Sequence, residues 1–497
     1  MLIVNAWNGE MGQVINAAEI GNKEFVGLTC DSRQVEPGFL FAALPGSQVD
    51  GRSYISDAMA RGAVAVLAPE GTDPELTNES VPLITDPNPR RRYSLVAAQF
   101  FETQPRSVVA ITGTNGKTSV AGFVRQILSC LGHKSASAGT LGVELSGFDA
   151  NSTPELKSRF NLTTPDSVDL HRSLSELEGL GVNHLALEAS SHGLDQYRLD
   201  GIKISAAAFT NLSRDHLDYH LTVGAYLEAK LRLFSELVVD GGTAVINADD
   251  MYADAFRSAA QARGFQILSF GNKGHDIRLV NLQHEHDGQQ MTIEVLGALY
   301  SFKLPLVGDF QASNILCALG LVISLGENVE KSVTQLSKLT GIAGRMEYAG
   351  SHPNGASIYV DYAHTPDALA HVLGALRPHT KGCLHVVFGC GGDRDVGKRP
   401  EMGAVASLSA DHVIVTDDNP RSEDPAVIRN SVLSACNNAV EIGDRKLAIS
   451  KAIDNLKKND VLVVAGKGHE TGQIIGDQVL PFDDRKTVTK CIQGLAL

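Results

Sequence analysis

The chain has 497 residues, 43% hydrophobic, 20% charged and 6% aromatic, with a formal net charge of -14. This length allows about three domains, and the acidic balance argues against nucleic acid or a membrane surface as partner, because either requires a broad basic face. Seven scattered cysteines form no C-x-x-C pair, so neither a disulfide framework nor a zinc-thiolate site is expected.

The first stretch, Met1-Leu2-Ile3-Val4-Asn5-Ala6-Trp7, lacks a basic region and a long apolar run. No later run approaches the ~20 apolar residues of a membrane span, so a soluble cytoplasmic protein is expected. Residues 1–87 alternate short apolar runs, such as Phe39 to Leu44 and Ala63 to Ala68, with a helical pattern around Tyr54 to Arg61. They predict a small α/β domain. Its polar loops Cys30 to Arg33 and Gly46 to Arg52 read locally as turns. Asp86-Pro87-Asn88-Pro89 followed by three arginines marks a boundary, after which a helix runs to Phe101.

The next domain, 88–340, begins with the apolar run Val108 to Ile111, the turn Thr112-Gly113-Thr114-Asn115-Gly116, and Lys117-Thr118-Ser119 opening an amphipathic segment. Strand, glycine loop and helix in that order are the geometry of a phosphate-binding loop. Backbone N–H groups and the helix N-terminus face the anion, Lys117 adds a full charge and Thr118 a hydroxyl for Mg²⁺. The usual pattern has four residues between its glycines, and this loop has only Thr114 and Asn115. An empty strand-to-helix turn is the plainer alternative, but Gly-Lys-Thr at a helix start favours nucleotide binding.

Hydroxyl-rich loops at Gly139 to Gly142 and Leu162 to Asp166 precede a helix carrying Leu170, Leu174 and Leu177. The run His184 to Glu188 reads as a buried strand ending in an acid, where a phosphate-binding fold places a Mg²⁺ ligand. A third strand leads into Leu212-Ser213-Arg214-Asp215-His216-Leu217-Asp218-Tyr219-His220, whose density of His and Asp suits a metal or phosphate site. Lys230, in the helical run Tyr226 to Phe234, reads by periodicity as an ordinary helix lysine. An antiparallel patch is expected at Gln290 to Val295, and a helix opens near Asp309.

Residues 341–497 repeat a doubly wound, Rossmann-like pattern. Strands Ser357 to Asp361, His385 to Phe388, His412 to Thr416 and Asp460 to Ala465 each end in a polar loop. Four such loops on one edge of a parallel sheet predict a ligand site there. Gly389-Cys390-Gly391-Gly392 lacks dinucleotide-binding spacing.

The segments GTNGKTS, LEASSHGLDQYRL, TNLSRDHLDYH, EAKLRLF, GRMEYAG, VDYAHTPDAL, FGCGGDRDVGKRP, TDDNPRSEDP and AGKGHE occur in this order. Together they resemble the Mur ligases across all three inferred domains. The resemblance implies ATP-driven amide formation in cytoplasmic peptidoglycan synthesis, with small molecules as the partners of a monomer. Residues Gly113, Thr114, Asn115, Gly116, Lys117, Thr118 and Ser119 would bind ATP phosphates, and Asn314, Arg345 and Asp361 would contact the nucleotide. Thr118, Glu188 and His216 would hold Mg²⁺ together with Lys230, which the family carries as a carbamate made from CO₂. Lys117, Lys230, Glu188 and His216 are thus the expected catalytic set. The UDP-muramoyl substrate would lie on Cys30, Ser32, Ser47, Gln48, Val49, Thr163, Thr164, Ser190, Gln196 and Arg198. Two departures from the family pattern are Gln311, where an Asn is common, and Gly341-Ile342-Ala343, which replaces a proline-containing hinge.

Amino-acid choice turns on Asp418-Asn419-Pro420-Arg421, a form resembling the diaminopimelate-adding members. Arg421 and Arg394 could clamp the distal carboxylate that distinguishes meso-diaminopimelate from lysine. With lysine bound, that arginine charge would stay unpaired. Asp418 and Glu470 would complement the ammonium, and Gly466 leaves room at the backbone. The alternatives are a lysine-adding relative, a folylpolyglutamate synthase-like ligase, or a non-enzymatic nucleotide switch. The loaded loops of the last domain argue against a switch.

Overall fold

The computed structural model describes residues 14–15, 24–46, 49–149, 162–213, 215–436 and 438–495. The chain divides into two compact units, one of Met1–Ser269 with Gly320–Glu327 and the other of Phe270–Leu319 with Asn328–Leu497.

In the first unit a five-stranded sheet has the order Val14–Ile15, Leu83–Asp86, Ala65–Pro69, Phe39–Ala42, Gly27–Thr29. All neighbours are parallel except the Val14–Ile15 pair. The helix Pro89–Phe101 starts where the sequence signals it, with Pro89 in the first turn and the Asn88 side chain accepting from Arg91 N. Its Tyr93, Val96 and Ala97 join Leu40, Leu67 and Ile84 in one core.

A second sheet in this unit centres on Ser107–Thr112, with His184–Glu188 parallel on one side and Ile204–Phe209 parallel on the other. Ser135–Gly139 continues it in parallel beyond His184–Glu188, and Gly142–Ser146 adds an antiparallel edge. His184–Glu188 is buried throughout, as a strand covered on both faces must be. The phosphate loop after Thr112, the carboxylate of Glu188 and the loop after Phe209 therefore meet at one edge, where the strands end.

The second unit contains the antiparallel meander Ile277–Glu285, Gly288–Val295 and Ala298–Leu304, which extends the patch expected at Gln290 to Val295. Its six-stranded sheet runs Glu347–Ser351, Ser357–Asp361, Val461–Ala465, Leu384–Phe388, His412–Val415, Val440–Glu441. Only the first pair is antiparallel. The fold is α/β with mainly parallel sheets, and the four polar loops read from the sequence all leave the same edge of this sheet. No helix among the described residues is long and apolar enough to cross a membrane.

Candidate active site

The phosphate loop is held open from both sides. Gly113 has φ +146°, and a Cβ there would lie 1.9 Å from Thr210 Oγ1, so only glycine fits. Gly116 caps the helix Lys117–Cys130 with φ 88°, a left-handed conformation that glycine adopts without strain. Asn211 straps the intervening residues: its carbonyl accepts from Thr114 N at 2.8 Å and its Oδ1 from Asn115 N at 3.0 Å. This strap lies in a loop quoted above but given no role there.

Two lysines converge on this loop. Lys117 Nζ donates to the carbonyls of Gly113 and Thr114, both at 2.9 Å. Lys230 Nζ donates to the Gly113 carbonyl at 2.8 Å and lies 4.3 Å from the centre of the Tyr226 ring. With only 1% of its surface exposed, Lys230 is not the ordinary helix lysine that periodicity suggests. Burial, and then the charge of Lys117, hold its pKa well below the ordinary lysine value against the opposing effect of Asp215.

Glu188 is 2% exposed and fully engaged. Its Oε2 accepts from Thr118 Oγ1 at 3.0 Å and Thr140 Oγ1 at 3.2 Å, while Oε1 accepts from Thr140 N at 2.8 Å. A carboxylate locked on the helix-start threonine matches the donor set of a hard divalent cation beside phosphate. His216 is half-exposed with φ 52°, and its ring lies 4.8 Å from that of His192. His220 approaches the same His192 ring at 5.6 Å. Burial, followed by the charges of His216 and His220, lowers the pKa of His192, which favours neutral imidazole there.

The residues expected to hold the UDP-muramoyl substrate differ in how they are held. Thr164 is a hub, donating to the Glu188 carbonyl at 3.0 Å and accepting from Ser190 N and Oγ at 3.1 and 3.0 Å. Arg198 donates to the Thr164 carbonyl and to Gln196 Oε1, both at 2.6 Å, and Thr163 Oγ1 meets Thr140 Oγ1 at 3.1 Å. Thr164 thus bonds to Glu188 itself, Ser190, Arg198 and Gln196 connect through Thr164, and Thr163 through Thr140. Cys30 stands apart from them, its thiol donating at 3.5 Å to Oδ2 of Asp166, whose carboxylate also accepts from Tyr93 Oη at 3.2 Å. Ser32 is buried and Val49 is 52% exposed. Ser47 and Gln48 lie outside the described residues.

In the second unit, Asp361 accepts from Met346 N at 2.6 Å and Ala363 N at 2.8 Å, fixing the backbone that presents Arg345. Burial raises the Asp361 pKa despite the nearby Arg345. The Arg345 guanidinium lies 5.0 Å over the Tyr362 ring, while its Nε is buried with no hydrogen-bond partner. Gln311 spans Arg345 and Asn314, donating to the first carbonyl at 3.4 Å and accepting from Asn314 Nδ2 at 3.2 Å.

At the same carboxyl edge of that sheet, Asn419, Glu470 and Lys467 form a closed polar triad. Lys467 Nζ donates to Glu470 Oε2 at 2.8 Å and Asn419 Oδ1 at 3.0 Å, and Asn419 Nδ2 donates to Glu470 Oε2 at 2.9 Å. Burial raises the Glu470 carboxyl, but the bonds from Lys467 and Asn419 outweigh it and leave the pKa below the ordinary value. Lys467, 0% exposed, carries this arrangement; its loop was visible in the sequence, its role was not. Gly466 has φ +115°, and a Cβ there would meet Asp418 Oδ2 at 2.7 Å. Arg421, with φ 52°, follows Pro420 and donates to the Gly392 carbonyl at 2.8 Å. Arg394 donates to the Asp393 carbonyl at 3.0 Å. A Cβ on Gly391 would lie 2.8 Å from Arg421 Nη1 and 3.8 Å from Arg394 Cγ, so the two arginines flank one glycine. Neither forms a salt bridge among the described residues.

A phosphate loop backed by an anchored acid in the first unit, and a sheet edge bearing two arginines in the second, are the features of a nucleotide-dependent enzyme that takes a second small molecule. The chain belongs to the Mur ligase family, and by that membership is an ATP-dependent ligase: it matches the Mur ligase catalytic domain over residues 24–101, the middle domain over 111–322 and the glutamate ligase domain over 344–468. It is 52% identical over 472 residues to the UDP-N-acetylmuramoyl-L-alanyl-D-glutamate–2,6-diaminopimelate ligase of Caulobacter vibrioides, covering 94% of this chain and 96% of that one. The enzyme of the same name from Bradyrhizobium diazoefficiens is 51% identical, with 94% and 95% covered. A solved structure of a ligase of that name superposes with a TM-score of 0.72 at 35% identity, covering 97% of each chain. Mycobacterium tuberculosis folylpolyglutamate synthase shares the fold, with a TM-score of 0.62 at 19% identity over 76% of this chain and 92% of that one.

Proposed function

We propose that this ligase joins meso-diaminopimelate to the glutamate of UDP-N-acetylmuramoyl-L-alanyl-D-glutamate, as a step of cytoplasmic peptidoglycan synthesis. The observation that carries the choice of amino acid is the pair Arg394 and Arg421 around Gly391, bonded to carbonyl oxygens rather than carboxylates. Two guanidiniums without an ion pair suit a substrate with a second carboxylate; L-lysine would leave them unpaired. Asp418, Asn419, Pro420, Gly466 and Glu470 shape the remaining pocket. The full-length likeness to relatives bearing the diaminopimelate ligase name supports the same reading.

The substrate's γ-carboxylate attacks the γ-phosphorus of ATP, releasing ADP and leaving an acyl phosphate. The incoming amine then adds to the acyl carbon, and the tetrahedral intermediate expels phosphate to give the amide. Attack of an anion on a polyanion needs fixed positive charge and alignment. Lys117 and the loop amides from Gly113 to Ser119 supply the charge, and the roles of Asn314, Arg345 and Asp361 as nucleotide contacts belong to the same reading. The cluster Thr163, Thr164, Ser190, Gln196 and Arg198, with Cys30, Ser32, Ser47, Gln48 and Val49, binds the UDP-muramoyl end.

Thr118 and Glu188, bonded to each other, offer oxygen donors suited to a hard cation, His216 would be the further ligand of this reading, and Mg²⁺ there would neutralise phosphate charge. The buried Lys230 amine, its pKa depressed, is suited to react with CO₂, giving a carbamate and a proton; the resulting anion would be a further Mg²⁺ ligand. The domain bounds 1–87, 88–340 and 341–497 and action as a monomer belong to the same reading. Phosphate release from ATP tests it. Release should require both the UDP-muramoyl dipeptide and diaminopimelate, and absence of release with that pair contradicts the assignment.

A further inference from the structure

At the far end of the phosphate-loop helix from Lys117, three side chains from distant segments converge. His133 follows the helix Lys117–Cys130, His184 opens the strand that ends in Glu188, and Glu327 ends the segment Gly320–Glu327 of the same compact unit. One ligand atom from each lies within 4.8 Å of the other two. His133 Nε2 is 2.9 Å from Glu327 Oε1, and the two imidazole rings are edge-to-face with centroids 4.7 Å apart. His184 is 9% exposed, and its Nδ1 has no hydrogen-bond partner. A buried imidazole nitrogen without a partner is costly unless something supplies one.

We propose that His133, His184 and Glu327 bind a divalent transition ion of the Zn²⁺ class, at a site separate from the Mg²⁺ centre. Two imidazoles and one carboxylate match borderline-soft cations that accept three protein ligands and leave a coordination position open. Mg²⁺ prefers oxygen ligands and keeps much of its water, so it competes poorly for two imidazoles. The separation follows from element lengths. Four strand steps of about 3.3 Å put His184 about 13 Å from Glu188. The 14-residue helix from Lys117 to Cys130 spans about 21 Å. A bound ion ties the foot of the strand bearing Glu188 to the tail of the helix bearing Lys117.

The test is equilibrium binding of Zn²⁺ to the metal-stripped full chain in millimolar Mg²⁺, which occupies the catalytic centre, repeated with His133→Ala and Glu327→Gln. We expect one tightly bound Zn²⁺ in the native chain and at least a tenfold weaker affinity in each variant. Zn²⁺ should raise the unfolding temperature of the native chain and not of the variants. Two variants at non-buried ligands, each compared with the native chain in chelator, separate loss of a ligand from loss of folding. Unchanged Zn²⁺ affinity in both variants, or no Zn²⁺ retained against Mg²⁺, overturns the proposal.

Discussion

Lys230 and Lys467 are both buried lysines, 1% and 0% exposed, yet their surroundings set them to different uses. Lys467 is closed into a triad with Glu470 and Asn419, so its charge is matched where it sits. Among the described residues Lys230 has only the Gly113 carbonyl as a hydrogen-bond acceptor, and burial together with the nearby charge of Lys117 penalises its charged form. Burial alone therefore does not make a lysine reactive. The neighbouring charge decides: Lys467 lies against a carboxylate, while Lys230 lies near a second cation, which adds to burial in favouring its free amine.

The difference can be broken most severely at Lys230. Lys230→Met should lower phosphate release by about a thousandfold while retaining ATP binding, because it removes the anion precursor without touching the loop amides. A near-native rate would show that no carbamate is needed. Lys467→Met should act on stability instead, costing about 3 kcal/mol by urea unfolding, since it strands a half-buried Glu470. An unchanged midpoint would break the contrast from the other side. Arg421→Lys should lower kcat/KM for diaminopimelate by about thirtyfold, through loss of the planar fork, with the ATP KM unchanged.

The smallest effect sharpens the contrast through pH. Below the ordinary lysine value of 10.5 the unfolded chain binds a proton that buried Lys230 resists, so this group makes stability rise with pH, by up to about 1.4 kcal/mol per unit. The contribution is most unfavourable at low pH and fades as pH approaches 10.5. In CO₂-free buffer the native chain should show a steeper rise than Lys230→Met. Parallel profiles would mean that the amine is not depressed.

What the sequence disclosed follows from how its chemistry is spaced. The phosphate loop, Glu188 at its strand end and the Asp418 to Arg421 loop are contiguous signals, each carrying strand, turn and ligand-type residues together. Lys230 is different, because its burial depends on the Gly113 carbonyl more than a hundred residues earlier, which helical periodicity does not report. Thr140, Asn211 and Lys467 stood in stretches already noted for polarity, but their roles come from partners that only the folded sheet edges bring near. Likewise the meander from Ile277 to Leu304 showed only its middle strand, since its flanking strands stay largely exposed and bury little apolar surface.

The central claim, an arginine-flanked pocket selecting a dicarboxylic diamine, is tested most directly by competition. Native ligase is given ATP, the UDP-muramoyl dipeptide and equal concentrations of meso-diaminopimelate and L-lysine, and the products are separated by mass. The diaminopimelate adduct should exceed the lysine adduct by at least a hundredfold, with that ratio falling in Arg421→Lys. Equal amounts of the two adducts from the native chain would contradict the account.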